Sequence, residues 1–315
     1  MAAKNRCREA PHQPVRGLPT SRFHRRITVD HSSISRYLEE GFLVVRGLFT
    51  AEEVGNLKED SRGLALGRFP VANALSPSMG GNSIDAEETL RGLSDDERLQ
   101  SMILAHFPQW VSPAFEHVVK HAELRSVLDD LVVARLDRTD GSAKCLQDYI
   151  FCKPPRQPGK AWHQDATYIE TDARSLTGVW IPIDDATVEN GCLWFVPGSH
   201  EAGELFKMEP HGRADYDNAP ASIGFDDSTE VPIEVAAGDV GFFDGHLLHR
   251  SGPNQTDGYR HALVMHWLDA DTPYTWKFPG DPSWPPPSAS ITWNFPGQGR
   301  VDRPLTELES QGRSN

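Results

Sequence analysis

Two short stretches of the sequence carry side chains that could bind one metal ion together. In the first, His163 and Asp165 are two residues apart, so on an extended chain both side chains point to the same face. The second stretch, residues 245–254, offers His246 and His249. Two imidazoles and one carboxylate on one face of an octahedral ion leave other positions open, as in non-haem Fe(II) oxygenases. These residue types therefore predict an iron centre.

One arginine follows the second stretch at a spacing that suits a chelating co-substrate. Arg260 comes after a turn signal at residues 256–258, which would let its strand run back beside His249. A guanidinium can bind a carboxylate through two parallel hydrogen bonds. Iron that is chelated by a keto acid at one end, with an arginine at the other end, is the arrangement that 2-oxoglutarate would need. The residues thus predict Fe(II), 2-oxoglutarate and O2 as the reacting cofactors and co-substrates.

Other interpretations of the same residues stay open. A lone H-x-D pair is a weak signal in a chain with 13 histidines. His246 lies three residues before His249 and should not face the same way on an extended chain, and His266 is expected to pack in the core. Zinc accepts two histidines and a carboxylate, so a zinc-dependent hydrolase is one alternative function. A non-catalytic jelly-roll protein that binds metal or 2-oxoglutarate is another.

The first part of the chain is predicted to hold helices and one strand. Ser33 is a candidate helix cap and Gly41 a helix end, and residues 42–48 indicate a buried strand. Thr50 and Glu53 have capping-box spacing. The other predicted elements are a helix over residues 51–62, a long loop over 67–95 and a helix over 113–131 with Phe115, Val118, Val119, Leu124 and Leu128 on its apolar face.

The second part of the chain changes to short β-rich runs separated by Gly, Pro, Asn and Asp. Many short strands with such turns are typical of a β-sandwich or barrel. The predicted fold class is therefore mostly β with flanking helices. The candidate strands are residues 146–152, 176–182, 192–196, 233–235, 240–243 and 262–267.

Composition narrows the classes of partner. The formal net charge is −14, which disfavours binding to nucleic acid or to anionic membranes, where clustered cations supply the affinity. No run of apolar residues approaches the roughly 20 needed for a membrane span. The four cysteines are too sparse for a disulfide scaffold, so we expect a reducing, cytoplasmic location. The basic residues near the N-terminus would also suit an organelle transit peptide.

Three segments are predicted from the composition and hydrophobic periodicity of the chain. Residues 1–26 lack periodicity and are expected to form a disordered leader. Residues 27–300 are expected to form a single oxygenase domain, and residues 301–315 a flexible tail.

Several motifs, in order along the chain, resemble the phytanoyl-CoA dioxygenase (PhyH-like) family of Fe(II)- and 2-oxoglutarate-dependent oxygenases. The resemblance covers about residues 30–270. The motifs that carry it are Trp162-His163-Gln164-Asp165, Gly178-Val179-Trp180, Asp185-Ala186-Thr187-Val188-Glu189-Asn190-Gly191-Cys192-Leu193, Pro197-Gly198-Ser199-His200 and His249-Arg250-Ser251-Gly252-Pro253-Asn254.

This resemblance implies a fold and a set of site residues. The fold is a double-stranded β-helix, the cupin-like jelly roll. The family pattern implies His163, Asp165 and His249 as the iron ligands. It implies Arg260 as the anchor of the 2-oxoglutarate carboxylate, with Ser251 beside it. Further positions that face the co-substrate in such proteins correspond here to Trp180, Gln147 and Tyr149, the last where some members have methionine.

The resemblance also implies the reaction class. Related halogenases lack the carboxylate ligand, so Asp165 favours hydroxylation, or another oxidation, over halogenation. The expected reaction oxidises a small organic substrate and releases succinate and CO2. Family members act on acyl-CoA thioesters and on secondary metabolites, and either class is expected here. Residues 153–160 form a local basic loop that could meet an acyl-CoA phosphate, although a solvated loop is the favoured interpretation. The sequence does not indicate an oligomeric state.

Overall fold

A computed structural model describes residues 29–69, 92–169, 171, 174–273, 290–295 and 299–304. No helix in these ranges combines the length and the apolar character needed to cross a bilayer. The helices are α1 (His31–Glu40), α2 (Ala51–Ala65), α3 (Asp95–Ser101), α4 (Pro113–Val119) and α5 (Ala122–Arg135), with 3-10 turns at Pro108–Trp110 and Asp165–Thr167. The strands are β1 (Phe42–Val45), β2 (Met102–His106), β3 (Ala143–Lys153), β4 (Lys160–His163), β5 (Thr177–Pro182), β6 (Leu193–Phe195), β7 (Met208–Glu209), β8 (Ala221–Ser222), β9 (Val231–Ile233), β10 (Val240–Asp244), β11 (His249–Ser251), β12 (Arg260–Asp269), β13 (Ser290–Phe295) and β14 (Gly299–Pro304).

The strands form two main antiparallel sheets. The large sheet has the order β1-β10-β5-β12-β3-β2-β13-β14, and the small sheet has the order β4-β11-β6-β9. A separate pair joins β7 and β8. Strands that are neighbours in sequence often lie in different sheets, as expected for a jelly roll. The predicted class, a mostly β double-stranded β-helix with flanking helices, is confirmed.

Side-chain alternation divides the large sheet into two faces. On β12, Leu263, Met265 and Trp267 are buried in the same apolar core as the helices. The intervening residues Val264 and His266 face a pocket that the small sheet also lines. Successive residues of a strand point to opposite faces, so one strand serves both the core and the pocket.

The helices cover the large sheet with apolar side chains. Leu57 and Leu64 of α2 and Leu128 of α5 are fully buried in one cluster with sheet residues such as Ile150 and Val179. Burying a side chain of this size contributes about 1.5–3 kcal/mol to stability. This packing holds the sheet in place behind the pocket.

Helix caps explain where the first two helices begin. The predicted capping box of Thr50 and Glu53 is confirmed at the start of α2. The predicted cap at Ser33 is wrong: Asp30 caps α1, and the main-chain N–H of Ser33 donates to its carboxylate. A carboxylate at the N-cap satisfies free N–H groups three residues on, which left Ser33 within the first turn. Gly41 ends α1 in the left-handed conformation, as predicted.

The single helix predicted over residues 113–131 is two helices. The chain breaks at Lys120 and His121, and the Nδ1 atom of His121 accepts the main-chain N–H of Leu124 to cap α5. A side chain that can cap a helix competes with helix continuation, which the apolar periodicity did not show. The predicted apolar residues Phe115, Val118, Leu124 and Leu128 are buried, and Val119 is half-buried.

Three predicted segments are changed or fall outside the description. Strand β12 pairs with β3 and β5 in the large sheet and not with β11, so the turn at residues 256–258 joins two sheets and does not form a hairpin. Strand β14 pairs with β13 as far as Pro304, so residues 301–304 of the predicted flexible tail belong to a strand. Residues 1–26 and most of the predicted loop over 67–95 lie outside the described residues.

Candidate active site

The small sheet brings the first two candidate ligands together. Strands β4 and β11 pair antiparallel with His163 opposite His249, and their ring centroids lie 4.1 Å apart. Asp165 follows two residues after β4, at the start of a 3-10 turn that turns its carboxylate back toward both rings. Antiparallel pairing of two non-adjacent stretches therefore assembles the triad.

Main-chain carbonyl groups fix the tautomer of both histidines. Nδ1 of His163 lies 2.8 Å from the carbonyl oxygen of Ala161, and Nδ1 of His249 lies 2.9 Å from that of Leu247. A carbonyl oxygen only accepts, so each Nδ1 carries the proton and donates it. Each Nε2 atom then keeps its lone pair, which is the form that binds a metal ion.

The three ligand atoms are close and buried. The Oδ1 atom of Asp165 is 3.8 Å from Nε2 of His163 and 3.6 Å from Nε2 of His249. All three residues are buried, and their ligand atoms lie within 4.8 Å of one another. One carboxylate oxygen and two imidazole nitrogens at such distances can share a single ion.

Burial and mutual repulsion set the charge of the triad. Burial lowers the pKa of His163 well below its ordinary value, and the neighbouring His249 lowers it further. Burial also lowers the pKa of His249. Burial alone would raise the pKa of the Asp165 carboxyl, but the imidazoles of His266, His249 and His163 hold it below its ordinary value. Two neutral imidazoles and one carboxylate are in the protonation states that can bind a divalent metal.

A fourth residue at this site was missed from the sequence. Nε2 of His266 lies 2.9 Å from Oδ2 of Asp165, an electrostatic contact without hydrogen-bond alignment. Nδ1 of His266 is 2.8 Å from Nε2 of Gln147, and both residues are buried. His266 is thus buried as predicted, yet it lines the pocket. The signal was available, because His266 is six residues after Arg260 on one strand and so shares its face.

Arg260 lies on the large sheet, across the pocket from the triad. Its side chain is only 2% exposed, and no acidic side chain among the described residues forms an ion pair with it. The aromatic rings of Phe151 and Trp180 each lie 6.0 Å from the guanidinium carbon. Burial lowers the pKa of Arg260 to about 10. A desolvated guanidinium of this kind favours an anionic partner.

The other predicted co-substrate residues also line the pocket. Ser251 contributes from β11, and its Oγ atom accepts the main-chain N–H of Lys160. Trp180 is buried on β5. Tyr149 lies on β3 with its ring stacked 6.0 Å from that of His266. Its burial raises the pKa of the Tyr149 hydroxyl above the ordinary value, so this group is a neutral hydrogen-bond donor.

The pocket itself is mostly apolar. Its cavity measures about 320 Å³, within the usual range for small-molecule sites. Both sheets supply the walls, so the polar groups named above project into a largely apolar space. The apolar side chains that line it include Leu104, Phe151, Ile169, Leu193, Phe243 and Val264.

His246 and two cations of the basic loop lie outside this lining, whereas Lys160 of that loop lines the pocket. His246 follows β10, where its main-chain N–H donates to Asp244 and its ring lies 3.6 Å from that carboxylate. In the basic loop, Lys153 is buried and donates to the carbonyl of Gly252, and exposed Arg156 pairs with Asp257. Those two cations therefore have partners within the protein.

Comparison with known proteins places this site in a family. A sequence model of the phytanoyl-CoA dioxygenase family (PhyH) matches residues 37–262, a range that holds the triad and Arg260. The chain belongs to the phytanoyl-CoA dioxygenase family. The resemblance seen in the sequence motifs is thereby confirmed.

Curated relatives carry the family name over different lengths. Phytanoyl-CoA dioxygenase 1 of Oryza sativa subsp. japonica is 38% identical over 123 residues, which is 39% of this chain and 43% of the rice protein. Phytanoyl-CoA dioxygenase domain-containing protein 1 of Danio rerio is 26% identical over 267 residues, which is 76% of this chain and 89% of the zebrafish protein. The chain thus spans less than half of the rice member.

Solved structures share the fold of this family member at low identity. EvdO2 from Micromonospora carbonacea var. aurantiaca, complexed with 2-oxoglutarate, aligns with a TM-score of 0.56 and 22% identity over 82% of this chain and 97% of its own. The epimerase SnoN, complexed with Fe3+, alpha ketoglutarate and nogalamycin RO, aligns with a TM-score of 0.55 and 19% identity over 89% and 95%. These similarities support the jelly-roll fold.

Proposed function

We propose that the protein is an Fe(II)- and 2-oxoglutarate-dependent oxygenase that hydroxylates a small organic substrate and releases succinate and CO2. The observation that carries the proposal is one buried pocket with two features on its two sheets. The small sheet supplies the His163, Asp165 and His249 triad, and the large sheet supplies Arg260 without an acidic partner among the described residues. Together they suit one metal ion and one dicarboxylate.

The donor set of the triad fits Fe(II). The two imidazoles are held in the neutral tautomer with Nε2 toward Asp165, and the carboxylate is ionised. Such a set occupies three positions of the ion and leaves room for other ligands. When bound, iron supplies the oxygen chemistry that amino-acid side chains cannot perform. The protein's own part is to hold the ligands and to exclude water.

The large-sheet wall fits the distal carboxylate of 2-oxoglutarate. Arg260 can donate two parallel hydrogen bonds to a carboxylate, and Ser251 offers a hydroxyl on the facing sheet. The rings of Trp180 and Phe151 beside the guanidinium keep water away from this pair. Electrostatic attraction is stronger in such a low-dielectric setting, so the anchor gives both affinity and orientation.

The remaining lining indicates the chemical class of the substrate. Apolar side chains surround most of the pocket, and half-buried Lys160 and exposed Tyr168 also line it. A cavity of about 320 Å³ that also holds 2-oxoglutarate leaves room for a small apolar group only. We therefore propose that the reacting part of the substrate is apolar, whether it belongs to an acyl-CoA or to a secondary metabolite. Asp165 supplies the carboxylate ligand that related halogenases lack, which supports hydroxylation over halogenation.

Turnover of 2-oxoglutarate tests the proposal. The purified chain, reconstituted with Fe(II), should release succinate and CO2 from 2-oxoglutarate in the presence of O2. His163→Ala should abolish this release because it removes a metal ligand. His246→Ala is the matched control, since that histidine lies only three residues before His249 but outside the pocket lining. Turnover that persists in His163→Ala, or activity with Zn²⁺ and no O2, would contradict the proposed function.

A further inference from the structure

A second group of metal-ligating side chains lies among the helices. Glu53 belongs to α2, His117 to α4 and His121 to the cap of α5. None of the three lines the pocket described above. Nε2 of His117 lies 3.1 Å, and Nε2 of His121 lies 3.3 Å, from the same oxygen, Oε1 of Glu53. We propose that these three side chains form a second metal site that binds Zn²⁺.

The distances between the three ligand atoms suit a tetrahedral ion. Zinc bonds to histidine nitrogen and carboxylate oxygen are about 2.0–2.1 Å long, which places neighbouring ligand atoms about 3.3 Å apart. The two nitrogen-to-oxygen distances at Glu53 match that separation, and all three ligand atoms lie within 4.8 Å of one another. His117 is exposed, so a water molecule can complete the fourth position.

Local structure fixes two of the three ligands, Glu53 and His121, before any metal arrives. The other carboxylate oxygen of Glu53, Oε2, accepts both the main-chain N–H and the hydroxyl of Thr50 in the capping box, each at 2.8 Å. This leaves Oε1 directed at the histidines. The ring of His121 is buried and packs 4.7 Å from that of Phe49. Ligands held by other contacts lose little entropy on binding, which favours affinity.

A second carboxylate supports the buried histidine. Oε2 of Glu123 lies 3.4 Å from Nδ1 of His121. A histidine that binds metal through Nε2 must carry its proton on Nδ1, and an adjacent carboxylate accepts that proton in many zinc sites. Binding would replace the long 3.4 Å bond from the N–H of Leu124 to Nδ1 with this charge-assisted one.

The site would join α2 to the consecutive helices α4 and α5, which follow it much later in the sequence. Its ligands come from α2, α4 and α5, which cover the large sheet behind the pocket. An ion that binds the folded state but not the unfolded state stabilises the folded state by mass action. The second site is therefore a structural one, separate from the proposed oxygen chemistry.

Zinc stoichiometry tests the second site in the full-length chain. After metal depletion, the wild-type chain should bind two Zn²⁺, one at each site. His117→Ala and His163→Ala should each bind one, and the double variant none. His31→Ala, which removes another exposed histidine, should still bind two and is the matched control. In the His163→Ala background, His117→Ala should weaken zinc binding at least ~100-fold, the upper end of what loss of a supporting group costs.

Glu53→Gln gives a second variant that preserves the helix cap. A glutamine oxygen can still accept from Thr50, whereas its NH2 group at the position of Oε1 cannot bind a cation. In the His163→Ala background, zinc should raise the melting temperature of the chain, and both Glu53→Gln and His117→Ala should remove that rise. Unchanged zinc stoichiometry in both variants, or a His163→Ala chain that binds no zinc, would overturn the second site.

Discussion

At the residue level, the backbone of the two strands orients the triad. Each histidine donates from Nδ1 to the carbonyl oxygen two residues before it, Ala161 for His163 and Leu247 for His249. No other side chain is needed to select the tautomer. The metal-binding tautomer is therefore set by the backbone of the two strands.

Arg260 allows a test of co-substrate anchoring. Arg260→Lys keeps the positive charge but loses the two parallel hydrogen bonds. Arg260→Ala loses the charge as well as the hydrogen bonds. A hydrogen bond to a charged group contributes about 1.5–3 kcal/mol, so KM for 2-oxoglutarate should rise about 10- to 150-fold in Arg260→Ala and less in Arg260→Lys. Steady-state decarboxylation measures it. Arg156→Ala, at an exposed site, should leave KM unchanged, and an unchanged KM in Arg260→Ala would exclude the anchor role.

His266 is expected to hold Asp165 in position. Its Nε2 atom contacts Oδ2, which leaves Oδ1 directed at the two histidines. Loss of a supporting group beside a ligand weakens metal binding about 10- to 100-fold. His266→Ala should therefore raise the apparent Kd for Fe(II) by that factor, and Gln147→Leu should act in the same direction more weakly. If His266 only fills space, its removal would lower the melting temperature and leave the Kd for Fe(II) unchanged.

At the level of elements, strand β5 and strand β10 set the shape of the pocket wall. Gly178 pairs with Phe243, and a Cβ atom there would overlap the phenyl ring. The same ring packs 4.8 Å from that of His249. The glycine thus allows an aromatic side chain to support a candidate ligand.

Gly178→Ala should damage both stability and the site. Overpacking in a filled core costs about 1–3 kcal/mol, so the free energy of unfolding in urea should fall by that amount. Displacement of Phe243 should also weaken Fe(II) binding. Gly55→Ala is the matched control, because its Cβ would meet nothing within 4 Å at an exposed position of α2 and should stabilise the helix by about 0.5–1 kcal/mol. Equal stability of the two variants would show that Phe243 adapts at little cost.

At the level of the whole molecule, one carboxylate joins three separate elements. Asp184 follows β5, accepts the main-chain N–H of His261 on β12 at 3.0 Å, and lies 2.7 Å from its Nδ1. It also forms a 3.0 Å ion pair with Lys58 of α2. Burial opposes ionisation, but these contacts with His261 and Lys58 lower the pKa of Asp184 to about 2.

The lowered pKa of Asp184 predicts acid sensitivity. A carboxyl whose pKa falls on folding contributes stability above its unfolded value near 3.8 and loses it as pH falls toward about 2. Its contribution should be about 1 kcal/mol smaller at pH 3 than at pH 5. Urea unfolding of the wild type and Asp184→Asn at both pH values measures this. The stability difference between the two proteins should shrink at pH 3, and a constant difference would contradict the assignment.

Sequence patterns predicted the residues of the site better than the strand connectivity that brings them together. H-x-D spacing and Arg260, together with the family motif that selects His249, named residues that the structure brings into one pocket, since metal chemistry restricts residue types strongly. The hairpin between His249 and Arg260 was wrong, because turn residues do not show which sheet the next strand joins. His266 was missed because burial alone does not distinguish a core histidine from a pocket one. The disordered leader, the cytoplasmic location and the substrate stay predictions.

The two walls of the pocket belong to different sheets, and this division has a thermodynamic consequence. The triad lies on the small sheet and its 3-10 turn, whereas Arg260 and His266 lie on β12 of the large sheet. Iron and 2-oxoglutarate bound together would contact both walls and hold the two sheets together. Binding of the two would therefore be linked to global unfolding. Protease resistance should increase more with iron and 2-oxoglutarate together than the two separate increments would sum to, and the co-substrate would serve as a folding ligand as well as a reactant.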